Sequence, residues 1–199
     1  MQMRCKFSPR SGERQIEMFY ENGQPFERSF DRNGKLEGER KFWHSNGQLH
    51  SQEYYRDGEL EGERKRWYSD GLLSVREFYR DGKLDGNRIL WYRCGQIREK
   101  VFYRGEKLEG PSRSWYDNGQ LRTYGFFRDG KRNGEWRVWR MNGRPWKQSF
   151  FRDGTIIDRN FTHAKKLTFF RIIRCYRKRV IKQLNMSLIP DLKEIVLRL

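Results

Sequence analysis

The side chains best suited to catalysis or metal binding are few and scattered along this chain. Its 199 residues include three cysteines and three histidines, at Cys5, Cys94, Cys175, His44, His50 and His163. No two cysteines have C-x-x-C spacing, and the histidines are not paired at the ligand spacing of a zinc site. His44 and His50 flank one predicted turn and are placed to meet across a hairpin, where we interpret them as ordinary surface residues. The sequence therefore predicts no bound metal and no cofactor.

Motifs of the common hydrolases and nucleotide-binding enzymes do not occur in the sequence. There is no Gly-x-Ser-x-Gly, no phosphate-binding loop ending in Gly-Lys-Ser/Thr and no His-Glu-x-x-His. Carboxylates are plentiful, but they recur at strand and turn positions, where we expect them to be exposed and equivalent. A general acid needs one desolvated environment that shifts its pKa. We therefore expect no catalytic residue, no enzyme activity and no small-molecule substrate.

A 24-residue repeat organises the elements that must position these side chains. Glycine recurs at this step in three parallel sets along most of the chain. The glycines assigned to structural turns are Gly47, Gly58, Gly71, Gly82, Gly119 and Gly130. Most turn glycines follow Asn or Asp, and these dipeptides favour two-residue hairpin turns in which both central residues have positive φ. An internal period of this length predicts a stack of similar supersecondary units.

Aromatic columns mark the strands between the turns. Tryptophan recurs every 24 residues, at Trp43, Trp67, Trp91, Trp115 and Trp139. Another column often begins an aromatic doublet, such as Phe78-Tyr79. Neighbours along a strand point to opposite faces, and we interpret the first member as packing inward and the second as partly exposed. Charged strand residues, such as those at positions 39–41, are expected to form a solvated face.

These units resemble the MORN repeat variant, in which a Tyr/Trp-Tyr, Asn/Asp-Gly, Leu pattern is followed by Asp-Gly-Lys-Leu-x-Gly. The agreement is best at residues 63–86 and extends over residues 13–158. The resemblance implies an all-β fold, an elongated antiparallel β-meander of tandem hairpin repeats with about a dozen strands. It also implies an interaction scaffold without catalytic residues, from a bacterium or a large DNA virus.

The chain divides into an N-terminal segment (residues 1–12), a repeat array of about six units (13–158) and a tail (159–199). The array is least regular from Arg132 to Phe151, where Trp136 and Trp146 are added to the pattern. A terminal repeat is expected to be atypical because it caps the stack. In the fourth unit the second turn reads Arg-Gly-Glu at positions 104–106, so we expect a different turn type there.

The tail is basic and has helical periodicity. From Thr162 to Leu184 there is no Gly or Pro, and Thr162 is a candidate N-cap. Apolar residues fall on one side of this segment and basic residues largely on the other, which predicts a basic amphipathic α-helix followed by a second short helix. Residues 160–199 hold ten Lys or Arg residues against two acidic residues, in a chain of net charge +17. The basic residues expected to contact a partner are Arg171, Arg174, Lys178, Arg179 and Lys182.

Three roles are open for this tail. It covers an exposed end of the sheet, or it docks on a partner such as a coat, capsid or host protein. Alternatively, its eight basic residues between Lys165 and Lys182 contact nucleic acid or an anionic membrane, at roughly 1 kcal/mol per basic residue near a membrane. Protein–protein interaction is the leading function, and Tyr55, Tyr79 and Tyr103 are the predicted contacts on the array.

Composition favours an intracellular, reducing compartment. An odd number of widely spaced cysteines argues against a disulfide framework. The first residues lack the apolar stretch of a secretory signal, and no run approaches the roughly 20 apolar residues of a membrane span. We therefore expect a cytoplasmic protein, located in host cytoplasm or a virion if its source is viral.

Overall fold

The computed structural model describes residues 2–8 and 13–158, which form an antiparallel β-sheet. In chain order the strands are β1 (Gln2–Ser8), β2 (Glu13–Phe19), β3 (Pro25–Arg32), β4 (Lys35–Leu36), β5 (Gly38–Trp43), β6 (Leu49–Arg56), β7 (Glu59–Leu60), β8 (Gly62–Trp67), β9 (Leu73–Arg80), β10 (Lys83–Leu84), β11 (Gly86–Trp91), β12 (Ile97–Arg104), β13 (Lys107–Leu108), β14 (Gly110–Trp115), β15 (Leu121–Arg128), β16 (Lys131–Trp139), β17 (Pro145–Arg152) and β18 (Thr155–Asp158). The predicted C-terminal helices, with their five partner-contact basic residues, lie outside the described residues.

The strand pairing confirms the predicted all-β meander. From β1 to β17, each strand of six or more residues pairs antiparallel with the next such strand along the chain. Thirteen strands reach that length within the described residues, which agrees with the expected dozen. Contacts between neighbours in sequence therefore build the whole sheet, as expected for a repeat array.

The second turn of each repeat has the predicted two-residue form. Asp57 and Gly58 have φ values of 51° and 87°, as both central residues of such a turn require. Gly105 and Glu106 also have positive φ, 52° and 67°, so our expectation of a different turn type there is wrong. The Gly58 N–H donates to the Leu36 carbonyl at 2.9 Å, and this bond between successive turns recurs along the array.

The first turn of each repeat differs from the prediction. The loop has three residues, since the Tyr20 N–H donates to the Gln24 carbonyl and the Gly23 N–H donates to the Tyr20 carbonyl. Among these residues only Gly23 has positive φ, 80°, which is typical of a type I turn closed by a glycine bulge. The Asn22 side chain accepts the Gln24 N–H at 3.1 Å and stabilises this form. The two-residue turn predicted at this position is therefore wrong.

The third set of glycines bends the strand that follows each second turn. This bend separates a two-residue strand from a six-residue strand, as between β4 and β5 at Gly38, which has φ of 74°. At Gly86 a Cβ would lie 2.8 Å from the Phe78 Cβ, so no larger residue fits without movement. In the last described repeat, β16 runs unbroken through nine residues. This confirms that the array is least regular in that region.

Side chains bond successive repeats into one frame. The Tyr68 hydroxyl donates to the Trp91 carbonyl at 2.7 Å, and the amide of Asn46 donates to the Ser69 carbonyl at 2.7 Å. The tyrosine bond recurs at Tyr20, Tyr92 and Tyr116, each donating to the carbonyl of the next column residue. The tryptophans of the column are half-buried. Each such bond contributes about 0.5–1.5 kcal/mol net, and the sequence pattern repeats this contribution every 24 residues.

Candidate functional site

One face of the sheet, here called the inner face, carries most of the buried residues. Its central row crosses successive strands through Ser29, Arg40, Glu53, Arg64, Glu77, Arg88, Val101, Ser112, Gly125, Trp136 and Ser149. The registers place Arg64 opposite Glu77 and Ser112 opposite Gly125. Ser29 is 1% exposed and Ser149 is 3% exposed at the two ends of the row. The character of this row therefore decides what the inner face can bind.

The first half of the inner face is a charge ladder, formed by Glu27, Arg40, Glu53, Arg64, Glu77 and Arg88. Each arginine Nε donates to a glutamate, Arg40 to Glu27 and Arg64 to Glu53 at 2.9 Å and Arg88 to Glu77 at 2.8 Å. Glu27, Glu53 and Glu77 are only 4–6% exposed. Our expectation of exposed strand carboxylates is therefore wrong for these three. The register places a cation beside each carboxylate, and such pairing is what lets a charge be buried.

Tyrosines extend the charge ladder along its side. The Tyr55 hydroxyl donates to Glu53 at 2.9 Å, and the Tyr79 hydroxyl donates to Glu77 at 3.2 Å while it accepts from Arg64. Both rings are half-buried, whereas Tyr54 is 39% exposed. The inward and exposed roles assigned to aromatic doublets are therefore reversed at this doublet. Partner contact by Tyr55 and Tyr79 stays a prediction.

The electrostatics of the ladder favour its charged arginines. Burial lowers the pKa of Arg64, but the hydrogen bond with Tyr79 and the charges of Glu53 and Glu77 outweigh it and raise the pKa overall. Burial raises the pKa of Tyr55, and its hydrogen bond to Glu53 adds to the effect. The arginines of the ladder therefore stay charged, and the Tyr55 phenol stays neutral, near neutral pH.

The central row loses its large charged side chains after Arg88. Val101, Ser112 and Gly125 follow, and the smaller side chains of Val101 and Ser112 leave a groove of about 410 Å³ on the inner face. A Cβ on Gly125 would lie 2.0 Å from the Trp136 ring, which shows that the indole lies directly over this glycine. The groove therefore extends from Arg88 past Trp136 to residues of β17, such as Ser149.

Aromatic rings line the groove. The Trp136 ring packs edge-to-face against Phe127 and Phe151, with ring centroids 5.3 and 6.3 Å apart. The Arg132 guanidinium lies 4.3 Å from the centroid of the Trp136 ring. Tyr103, one of the predicted partner contacts, also lines the groove. These rings offer a rigid apolar surface suited to binding a side chain of a partner.

Two charged side chains at the groove are left without partners within the described part of the chain. Glu99 is half-buried and makes no hydrogen bond or ion pair with any described residue, and the exposed Lys147 likewise makes none. Arg88, in contrast, is already paired with Glu77. The groove therefore has unsatisfied charge of both signs beside its aromatic surface.

The sequence pattern contained a signal for this groove that we missed. Arg40, Arg64 and Arg88 recur at the 24-residue step, and the next two members of that column are Ser112 and Trp136. Loss of a repeated large side chain predicts a gap in the packed face. Because this loss was overlooked, Glu99 and Ser112 were not among the predicted site residues. Trp136 was noted only as an irregularity of the repeat.

The two histidines do meet across a hairpin, away from the groove. Their rings lie 4.7 Å apart, and His44 Nε2 lies 3.2 Å from the Trp67 carbonyl. Burial lowers the pKa of His50, and the neighbouring His44 adds to the shift. Within residues 13–157, whose side chains the structure describes, no three His, Cys, Asp or Glu side chains cluster as metal ligands would. Cys94 is a free, exposed thiol.

Comparison with protein families bears on two parts of the array. Residues 36–57 and 108–129 match the family model described as MORN repeat variant, which confirms the resemblance. The two matches begin three repeat lengths apart, so they have the same phase in the 24-residue pattern. No curated protein matches the chain. The described residues include no helix long and apolar enough to cross a bilayer.

Proposed function

We propose that this chain, whose repeats match the MORN repeat variant, is a non-enzymatic scaffold that binds a partner protein through the groove of its inner face. The observation that carries the proposal is the break in the central row, where Val101 and Ser112 replace large charged side chains and leave a recess lined by aromatic rings. Binding energy at protein interfaces concentrates in such desolvated pockets, with Trp, Tyr and Arg as frequent contributors.

The arrangement of the ladder supports binding rather than catalysis. Glu27, Glu53 and Glu77 are each bonded to an arginine of the same face. A general acid or base must be within hydrogen-bond reach of its substrate, and these carboxylates are 4–6% exposed. We therefore place the function in recognition, and we propose an intracellular, reducing environment because Cys94 is a free thiol.

A photo-crosslinking experiment tests the proposal. A benzophenone amino acid replaces Phe127 in the groove, or Tyr54 on the opposite face as the matched control. Cells of the source organism are irradiated, and any crosslinked protein is identified and purified. We expect the partner to crosslink from position 127 and to lose at least about tenfold in affinity for the Arg132→Glu variant. The exposed Arg104→Glu variant is the control and should bind normally.

Two results would contradict this proposal. The first is a partner that crosslinks only from position 54. The second is a partner whose affinity is equal for wild type, Arg132→Glu and Arg104→Glu. Either result would move the binding surface away from the inner face.

A second candidate function is peripheral binding to nucleic acid or an anionic membrane through the tail. The cluster of eight basic residues from Lys165 to Lys182, with no acidic residue among them, favours it. Replacing Arg171, Arg174, Lys178, Arg179 and Lys182 by Gln should abolish salt-sensitive binding to duplex DNA or phosphatidylserine vesicles. If the wild-type chain binds neither probe at low salt, this candidate fails.

A further inference from the structure

The first repeat shows how this fold holds an arginine on its inner face. The Arg40 guanidinium lies beside the Glu27 carboxylate at 2.9 Å and 4.5 Å from the centroid of the Phe42 ring. Burial lowers the pKa of Arg40, and its bonds with Glu27 and Tyr55 raise it above the ordinary value. A carboxylate and aromatic rings therefore form the arginine site of this repeat.

Three repeats later the same positions keep the carboxylate and lose the cation. Glu99 takes the position of Glu27 and Ser112 that of Arg40. Phe127 takes the position of Tyr55 and keeps the ring without the hydroxyl, while Ser114 takes that of Phe42. Glu99, Ser112 and Phe127 all line the groove. Glu99 makes no ion pair with any residue that the structure describes. The groove therefore keeps the carboxylate of the ladder's arginine site and one aromatic ring beside it, without the arginine.

We propose that the groove binds one arginine side chain of the partner protein, with its guanidinium beside Glu99 and its stem over Ser112. This inference rests on the proposed function and names the chemistry of the partner. A guanidinium suits the site because it is planar, donates two parallel hydrogen bonds to a carboxylate and stacks on aromatic rings. Lysine offers only a compact, strongly hydrated charge.

The far end of the groove limits what surrounds that arginine. Arg132 and Lys147 have no carboxylate partner among the described residues. They repel further cations and attract acidic groups, since opposite charges across an interface are favoured. The partner segment therefore carries a single arginine flanked by neutral or acidic residues, rather than a polybasic run.

Short synthetic peptides test the inference directly. Each acetylated peptide has a central arginine, citrulline or lysine, flanked by glycine and one aspartate, and binding is followed by amide chemical shifts of the ¹⁵N-labelled chain. We expect the arginine peptide to bind about tenfold more tightly than the citrulline peptide, which has the same shape without the charge. The shifts should centre on Val101, Ser112 and Phe127.

Two variants and one control make the result specific. Glu99→Gln should bind the arginine and citrulline peptides equally, and Ser112→Arg should bind neither because its own guanidinium fills the site. Glu59→Gln changes an exposed carboxylate outside the groove and should behave as wild type. If Ser112→Arg does not fold, the nearly isosteric Glu99→Gln variant still decides.

Several outcomes would overturn the inference. These are no binding of the arginine peptide, equal binding of the citrulline peptide, or an unchanged preference in Glu99→Gln. Failure of the arginine site can be distinguished from failure of the proposed function. A groove-dependent partner that tolerates both Glu99→Gln and Ser112→Arg keeps the scaffold function and removes the arginine site. Selective arginine peptide binding without any crosslinked partner keeps the site and removes the scaffold function.

Discussion

The two halves of the inner face have one backbone frame and different contents. From Arg40 to Arg88 the central row alternates arginine and glutamate, and each buried charge has its partner. From Val101 to Gly125 the same row holds small residues, and from Trp136 onward aromatic rings replace the charges. Turns and hydrogen bonds between repeats continue through both halves. The backbone frame of the repeats therefore tolerates a complete change in the residues on the inner face, and this change creates the groove.

The largest expected effect is on the ladder half. Arg64→Met removes the cation between Glu53 and Glu77, both of which are buried. Glu77 keeps Arg88, but the buried Glu53 loses the arginine that is bonded to it. A buried charge left without its cation costs about 3–5 kcal/mol, measured as a decrease in the free energy of unfolding in urea. The exposed Arg104→Met variant is the control and should change that free energy by less than about 0.5 kcal/mol. Equal effects of the two variants would mean that the ladder is no more than a surface network.

The next effect belongs to the groove half. Gly125→Ala places a methyl group against the Trp136 ring, and overpacking of this kind costs about 1–3 kcal/mol. Combining it with Trp136→Leu should cost less than the sum of the single changes, because the smaller side chain makes room. Thermal and urea unfolding of the wild type, the two single variants and the double variant give the coupling free energy between the two sites. Additive effects would place the indole away from Gly125.

A smaller effect should be equal in both halves. Tyr68→Phe and Tyr116→Phe each remove one hydroxyl that donates to a tryptophan carbonyl, at 2.7 and 2.9 Å. Each loss should reduce the free energy of unfolding by about 0.5–1.5 kcal/mol. Similar losses would show that the hydrogen bonds between repeats are equivalent in both halves, although the residues on the inner face differ. A large effect at one site alone would contradict a common frame.

The smallest effect is a pH dependence from the histidine pair. The pKa of His50 is lower in the folded chain than its ordinary value, first because of burial and then because of His44. The unfolded chain therefore binds the proton more readily. This contribution to stability is fully present above the ordinary histidine pKa, and it is lost as the pH falls from there through the lowered pKa of the folded chain. His50→Gln should reduce this decrease in the free energy of unfolding, measured from urea unfolding curves at a series of pH values. His44→Gln should reduce it less, because burial of His50 persists.

The sequence predicted the frame well because turn chemistry is local. Asp-Gly at positions 57–58 has the positive φ values that the dipeptide favours, and the 24-residue period gave the meander. The first turns were wrong because Asn-Gly also closes three-residue loops, and the hydrogen bonds of Tyr20 and Asn22 decide between the forms. Those loops contain a bulge that sets the strand register.

The contents of the inner face could not be predicted to the same depth. Whether Glu53 is buried depends on which arginine of the next strand lies opposite. A shift of one residue in the strand register would turn every side chain of the strand to the other face of the sheet. We expected its carboxylate to be exposed because carboxylates recur at equivalent strand and turn positions of the repeat. The groove also depends on Trp136 lying over Gly125 while the space above Ser112 stays open, an arrangement across strands that becomes visible only once the register is known.

A crystal structure of the Ser112→Arg variant tests the central claim most directly. If the groove is a vacant arginine site of the ladder, the introduced guanidinium will lie beside Glu99 and against Phe127, and the groove will be filled. If the new side chain extends into solvent and leaves Glu99 unpaired with the groove open, the ladder does not continue into this half and the account is wrong.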